Sequence, residues 1–174
     1  MHFFAHQVMW NGWVDTDKYQ TYIIGHWNYP EKTVKPVYVV SNGEAVELFL
    51  NGKSLGKGKR ESNFLFTFDK ITFRPGKLEA VSSDKNGKEV SRYHISTAGE
   101  ATQLKLTAIQ NPEGFHADGA DMALLQIEVV DKEGRRCPLD NRTIKFSLTG
   151  EAEWRGGIAQ GENNYILSKD LPVE

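Results

Sequence analysis

A chain of 174 residues that is 39% hydrophobic and 25% charged has the make-up of an ordinary soluble globular protein, sized for one domain or two small ones. Its formal net charge of -2 argues against a dedicated nucleic-acid binder, and no apolar run approaches the roughly 20 residues a membrane helix needs. The single cysteine, Cys137, excludes an internal disulfide and any multi-cysteine zinc knuckle, and its polar setting between Arg136 and Pro138 makes it a surface bystander.

In chain order, "MHFFAHQVMWNG" comes first. It lacks the basic region and long apolar core of a secretory leader. Phe3, Phe4 and Val8, with His6 and Trp10, recur at helical spacing, and Asn11-Gly12 reads as a helix stop. From Thr21 onward the chain reads as short strands separated by turn residues. Asn-Gly pairs at Asn42-Gly43, Asn51-Gly52 and Asn86-Gly87 predict β-hairpins, because both residues tolerate the positive φ of a type I′ turn. Between the turns the side chains alternate: Val46, Leu48 and Leu50 share one face, as do Phe64, Phe66 and Phe68. A small polar stretch near Ala98–Ala101 reads as a linker. Beyond it, residues 102–110, 122–131 and 143–150 read as further strands.

The predicted fold is all-β: two consecutive immunoglobulin-like β-sandwiches behind a short N-terminal helical segment. The boundaries fall at residues 1–18, 19–98 and 99–174. A lone helix with nothing to cover and a second sandwich with too few strands predict a piece of a larger protein. The second sandwich is then incomplete, with an unpaired edge open to another chain.

The motifs that invite chemistry fail on spacing. Gly52-Lys53-Ser54 resembles the tail of a phosphate loop, but Glu47 stands where its first glycine belongs, and strand, not helix, follows. The basic residues Lys57, Lys59 and Arg60 read as a solvated hairpin edge, without the interleaved aromatics of a single-strand binder. His2 and His6 stand four apart as in a zinc protease helix, yet Phe3 occupies the place of the general-base glutamate. His26, His94 and His116 have no neighbours that complete a ligand set. The sequence therefore predicts no metal and no cofactor. Glu31, Glu44, Glu61, Asp84, Glu89, Asp131 and Glu133 are scattered over turns and polar faces, not gathered as the carboxylate pair that glycoside hydrolysis needs. Aromatic residues crowd the first 30 positions, and Trp10, Trp13 and Trp27 are the candidates for stacking on a sugar. The alternative reading has them cementing the helix, first strand and a neighbouring domain together.

His26-Trp27-Asn28-Tyr29-Pro30, followed by Val46-Glu47-Leu48-Phe49-Leu50-Asn51-Gly52-Lys53-Ser54-Leu55-Gly56, resembles the module after the catalytic barrel in bacterial β-galactosidases of glycoside hydrolase family 2. Leu104–Trp154, with its Ala117-Asp118-Gly119-Ala120-Asp121 run and Val129-Val130-Asp131 turn, is similar to the next Ig-like module of these enzymes. The resemblance implies that residues 1–18 are the last barrel helix and its exit. It also implies a catalytic (β/α)₈ barrel of the same parent chain as partner, and a bacterial parent that is periplasmic or secreted. The family's acid/base sits in an Asn-Glu pair, and no such pair occurs here, so no catalytic residue carries over. The expected role is that of accessory, structural domains. The alternatives are a carbohydrate-binding module that uses exposed tryptophans, and an adhesin-like pair of sandwiches.

Overall fold

The computed structural model describes residues 2–116, 118–158 and 165–166. The chain divides into two compact units, Met1–Pro138 and Leu139–Glu174.

The first unit opens with helix α1 (His2–Trp13). Strands β1 (Thr21–Ile23), β2 (Val34–Ser41), β3 (Ala45–Leu50), β4 (Lys53–Lys57), β5 (Lys59–Arg60), β6 (Leu65–Thr72), β7 (Lys77–Ser83) and β8 (Glu89–Ser96) follow. They form two four-stranded sheets of order β1-β2-β6-β5 and β4-β3-β7-β8, with antiparallel pairing throughout. The alternation anticipated from sequence packs the sheets together. Val46, Leu48 and Leu50 of β3 face Val37 and Val39 of β2 and Phe66 and Phe68 of β6 across one core. Phe64 lies just before β6 and serves a different contact, edge-on to Trp13 with ring centroids 5.3 Å apart.

The three Asn-Gly pairs adopt three different roles. Asn51-Gly52 is the expected hairpin turn between β3 and β4, with φ of 52° and 80°. At Asn86-Gly87 only the glycine has positive φ (81°), and the loop is organised by Asp84, whose carboxylate accepts the Asn86 and Lys88 N–H groups. Asn42-Gly43 is not a hairpin at all. It carries the chain from β2 in one sheet to β3 in the other, and a Cβ at Gly43 would lie 2.8 Å from that of Ser82. The expected helix stop also fails, because α1 runs through Asn11-Gly12. Asn11 is buried, and a side chain at Gly12 would collide with the Phe64 ring.

After β8 come β9 (Ala101–Ile109) and β10 (Leu124–Asp131), paired antiparallel as one long hairpin. One face carries Leu104, Leu106 and Ala108 opposite Val129, Ile127 and Leu125, while Lys105 opposite Glu128 lies on the other.

In the second unit the described strands are β11 (Gly157–Ile158) and β12 (Tyr165–Ile166). Residues 143–150, predicted as a strand, have no strand structure. Their period-2 pattern survives, with Ile144 and Phe146 less exposed than Lys145 between them, and Phe146 packs against Trp154. A strand is defined by a ladder, and these residues have none. Among the described residues no helix is long and apolar enough to cross a membrane.

Candidate functional site

The His26–Pro30 segment follows β1 after a turn at Gly25, whose φ of 99° suits glycine. It does not form an open binding surface. Trp27 is 2% exposed, its indole N–H donates to the Arg74 carbonyl at 3.0 Å, and Phe73 and Tyr29 stand edge-on to it. Of the three tryptophans that sequence marks for sugar stacking, this one lies in the core.

His26 stacks on Tyr29 at 4.6 Å, and the Lys35 ammonium donates to the Tyr29 hydroxyl at 2.7 Å. The His26 imidazole is held below its ordinary pKa by burial and by the positive charges of Lys35 and Arg136. A recess of about 10 Å³ lies between Ile23, His26, Trp27, Tyr29, Lys35 and Pro36, room for a single water and not for a sugar ring.

Asn28 and the residues after β8 are joined side chain to backbone. The Asn28 carboxamide accepts the Ala98 N–H at 3.1 Å and donates to the Ala98 carbonyl at 3.3 Å. The Thr97 hydroxyl donates to the Trp27 carbonyl at 2.8 Å. Sequence reasoning assigned this motif to a family without finding its mechanical partner, because the partner lies 70 residues away.

Trp10 and Trp13 sit differently. Both are 61% exposed, on the side of α1 that also shows Phe3 at 69%. The opposite side is fastened to the sandwich: Val8 is fully buried, Phe4 packs on Tyr22 at 4.5 Å, and the Tyr22 hydroxyl donates to Gln7 at 3.2 Å. His6 is exposed, and the His2 side chain lies outside the described residues. The basic hairpin after β3 is a solvated edge, with Lys53 and Lys57 exposed and the Ser54 hydroxyl donating to Glu47.

Five carboxylates are held low by nearby donors. Hydrogen bonds from Lys77 hold Glu79 low, those from Arg92 hold Glu89 low, and those from Arg142 hold Asp140 low. Backbone N–H groups of Ala120 and Asp121 do the same for Asp118. At Asp131, burial pushes the carboxyl up, but N–H groups of Gly99, Arg135 and Glu133 and the Arg135 guanidinium outweigh it and leave it well below the carboxylate range. A general acid for glycoside hydrolysis needs the opposite shift. Among the described residues no three His, Cys, Asp or Glu side chains gather as a metal site. The Cys137 thiol lies 3.7 Å from the Gly99 carbonyl.

Comparison with known proteins places this geometry. Residues 32–91 match the model of a domain of unknown function, DUF4982, and residues 104–167 match that of "Glycoside hydrolase family 2 C-terminal domain 5". A beta-glucuronidase of Formosa agariphila is 39% identical over 99% of this chain and 17% of its own length. A beta-galactosidase of Bacteroides ovatus is 30% identical over 89% of this chain and 18% of its own. A solved beta-glucuronidase from glycoside hydrolase family 2 superposes with a TM-score of 0.81 at 38% identity, over 97% of this chain and 18% of that one. The chain therefore spans less than a fifth of the length of these relatives. With both halves matched in order, the chain belongs to glycoside hydrolase family 2, as β-domains of its C-terminal region.

Proposed function

We propose that this chain supplies non-catalytic supporting domains of a family 2 glycosidase that acts on β-linked sugars. In this reading residues 1–18 are the exit from the catalytic barrel, 19–98 the first sandwich and 99–174 the second. The observation that carries it is α1. One side of the helix is packed onto the sandwich through Phe4, Val8 and Asn11, while Phe3 and Trp10 stand exposed on the other and Trp13, though edge-on to Phe64, is still 61% exposed. A helix apolar on both sides is suited to burial between two bodies, and in this reading the occupant of the outer side is the catalytic barrel of the longer parent chain. The relatives' names divide between glucuronidase and galactosidase, so the sugar is left to the barrel.

The exposure of Trp10 and Trp13, three positions apart on one helix face, favours a second reading, a carbohydrate platform. Thermal melts of the chain with methyl β-galactoside, methyl β-glucuronide and longer β-linked oligosaccharides separate the two. Saturation a hundredfold above a dissociation constant adds about 2.7 kcal/mol of stability. The supporting role predicts no change in Tm with any sugar. A rise that disappears in the Trp10→Ala variant would replace it with sugar binding.

A further inference from the structure

Small polar residues between two β-domains usually make a flexible tether, and Ser96-Thr97-Ala98-Gly99-Glu100 has that composition. Its hydrogen bonding is that of a fixed element. The Thr97 N–H donates to the Gly76 carbonyl at 2.9 Å, and its hydroxyl accepts the Gly76 N–H at 3.1 Å and donates to the Trp27 carbonyl at 2.8 Å. Both backbone polar groups of Ala98 go to the Asn28 carboxamide, which offers the donor and acceptor a neighbouring strand would offer. The Gly99 N–H donates to the Asp131 carboxylate at 2.8 Å, and the Gly99 carbonyl faces the Cys137 thiol.

The two holds come from different elements. Asn28 is anchored in the sandwich, because the preceding Trp27 is buried in its core. Asp131 ends β10 and is 1% exposed. It also accepts the Glu133 and Arg135 N–H groups and the Arg135 guanidinium, so its own position is over-determined. Thr97 is thus held by backbone groups of Gly76 and Trp27, and Ala98 and Gly99 by side chains from two different elements.

We propose that Thr97–Gly99 is a rigid joint that sets the angle between the sandwich and the β9–β10 hairpin, with Trp27-Asn28 as one jaw and Asp131 as the other. The joint rests on hydrogen bonds within the first unit and not on the glycosidase reading. It gives the His26–Pro30 segment a mechanical role, which is to carry the orientation of the sandwich across to the next β-element. A flexible tether would leave the two free to turn independently.

The test is amide hydrogen exchange and residual dipolar couplings by NMR on the full chain, wild type and the Asn28→Ala and Asp131→Ala variants. In the wild type, the Ala98 and Gly99 amides should exchange at least about tenfold more slowly than in a free peptide. Couplings from β3 and β7 should fit one alignment tensor together with those from β9 and β10. In each variant that protection should fall toward the free-peptide rate and the fit to one tensor should degrade, while the Leu48 and Leu78 amides stay protected and report an intact sandwich. Free-peptide exchange at Ala98 and Gly99 in the wild type overturns the joint, even if a variant fails to fold. A single tensor retained in both folded variants overturns it as well.

Discussion

Trp27 shows how one residue can be misjudged in function and still be central to structure. A tryptophan among aromatics invites a sugar, but whether its ring faces water depends on Phe73 and on the Arg74 carbonyl, 46 and 47 positions further along. Burial makes a definite demand. Trp27→Ala should cost about 3–5 kcal/mol, the usual range for emptying so large a core site. Trp27→Phe should cost about 1–3 kcal/mol, because the ring volume is partly kept while the Arg74 carbonyl loses its donor. Urea unfolding followed by circular dichroism measures both. A Trp27→Ala variant as stable as the wild type would mean that the ring is not held in the core. By the same logic Asn28 had no visible role in the sequence, since its partner, the Ala98 backbone, has no side chain that could announce a polar contact.

At the level of elements, legibility follows the range of the interaction. The alternation in β3 was readable, because a half-buried strand writes its burial into neighbouring residues, whereas β6 buries Phe66, Thr67 and Phe68 in succession. The Asn-Gly pairs were readable as turns but not as kinds of turn, since the choice between hairpin and sheet crossing is made by the strand that arrives next. Gly52 and Gly43 therefore need glycine for different reasons. Gly52 has a φ of 80° and open space around a Cβ, whereas Gly43 has ordinary φ and the Ser82 side chain 2.8 Å away. Gly52→Ala should cost about 1 kcal/mol, and Gly52→Asn should recover most of it, because asparagine accepts left-handed backbone. At Gly43 the ranking reverses: alanine costs about 1–3 kcal/mol by overpacking, and asparagine, being larger, costs at least as much. Chemical denaturation of the four variants checks the crossing. Equal rescue by asparagine at both sites would show that Gly43 sits in a hairpin after all. Residues 143–150 mark the opposite failure, a strand pattern without a ladder, where local alternation promised what only a partner strand can supply.

Among the described residues, two elements of the first unit each expose several large apolar side chains on one face. The outer side of α1 shows Phe3, Trp10 and Trp13, and one face of the β9–β10 hairpin shows Leu104, Leu106 and Leu125. Contiguous apolar surface on a protein in water is a site of association, and an all-β chain adds strand edges that can pair with a copy of themselves. The two patches differ in kind. The helix has its backbone hydrogen bonds satisfied internally, so α1 offers only side chains, while the hairpin offers side chains and a backbone edge together. Self-association of the chain alone should therefore run through the hairpin more than through the helix. Sedimentation velocity across a concentration series tests this ordering: Leu104→Thr with Leu106→Thr should move the profile toward monomer more than Trp10→Ser with Trp13→Ser does. Threonine retains the strand preference of the hairpin while removing most of its apolar area, so the loss would be one of association and not of folding. If the tryptophan pair has the larger effect, the helix is the stickier surface. If the wild-type chain is monomeric at every concentration, its exposed faces are too small or too well separated to hold two copies together.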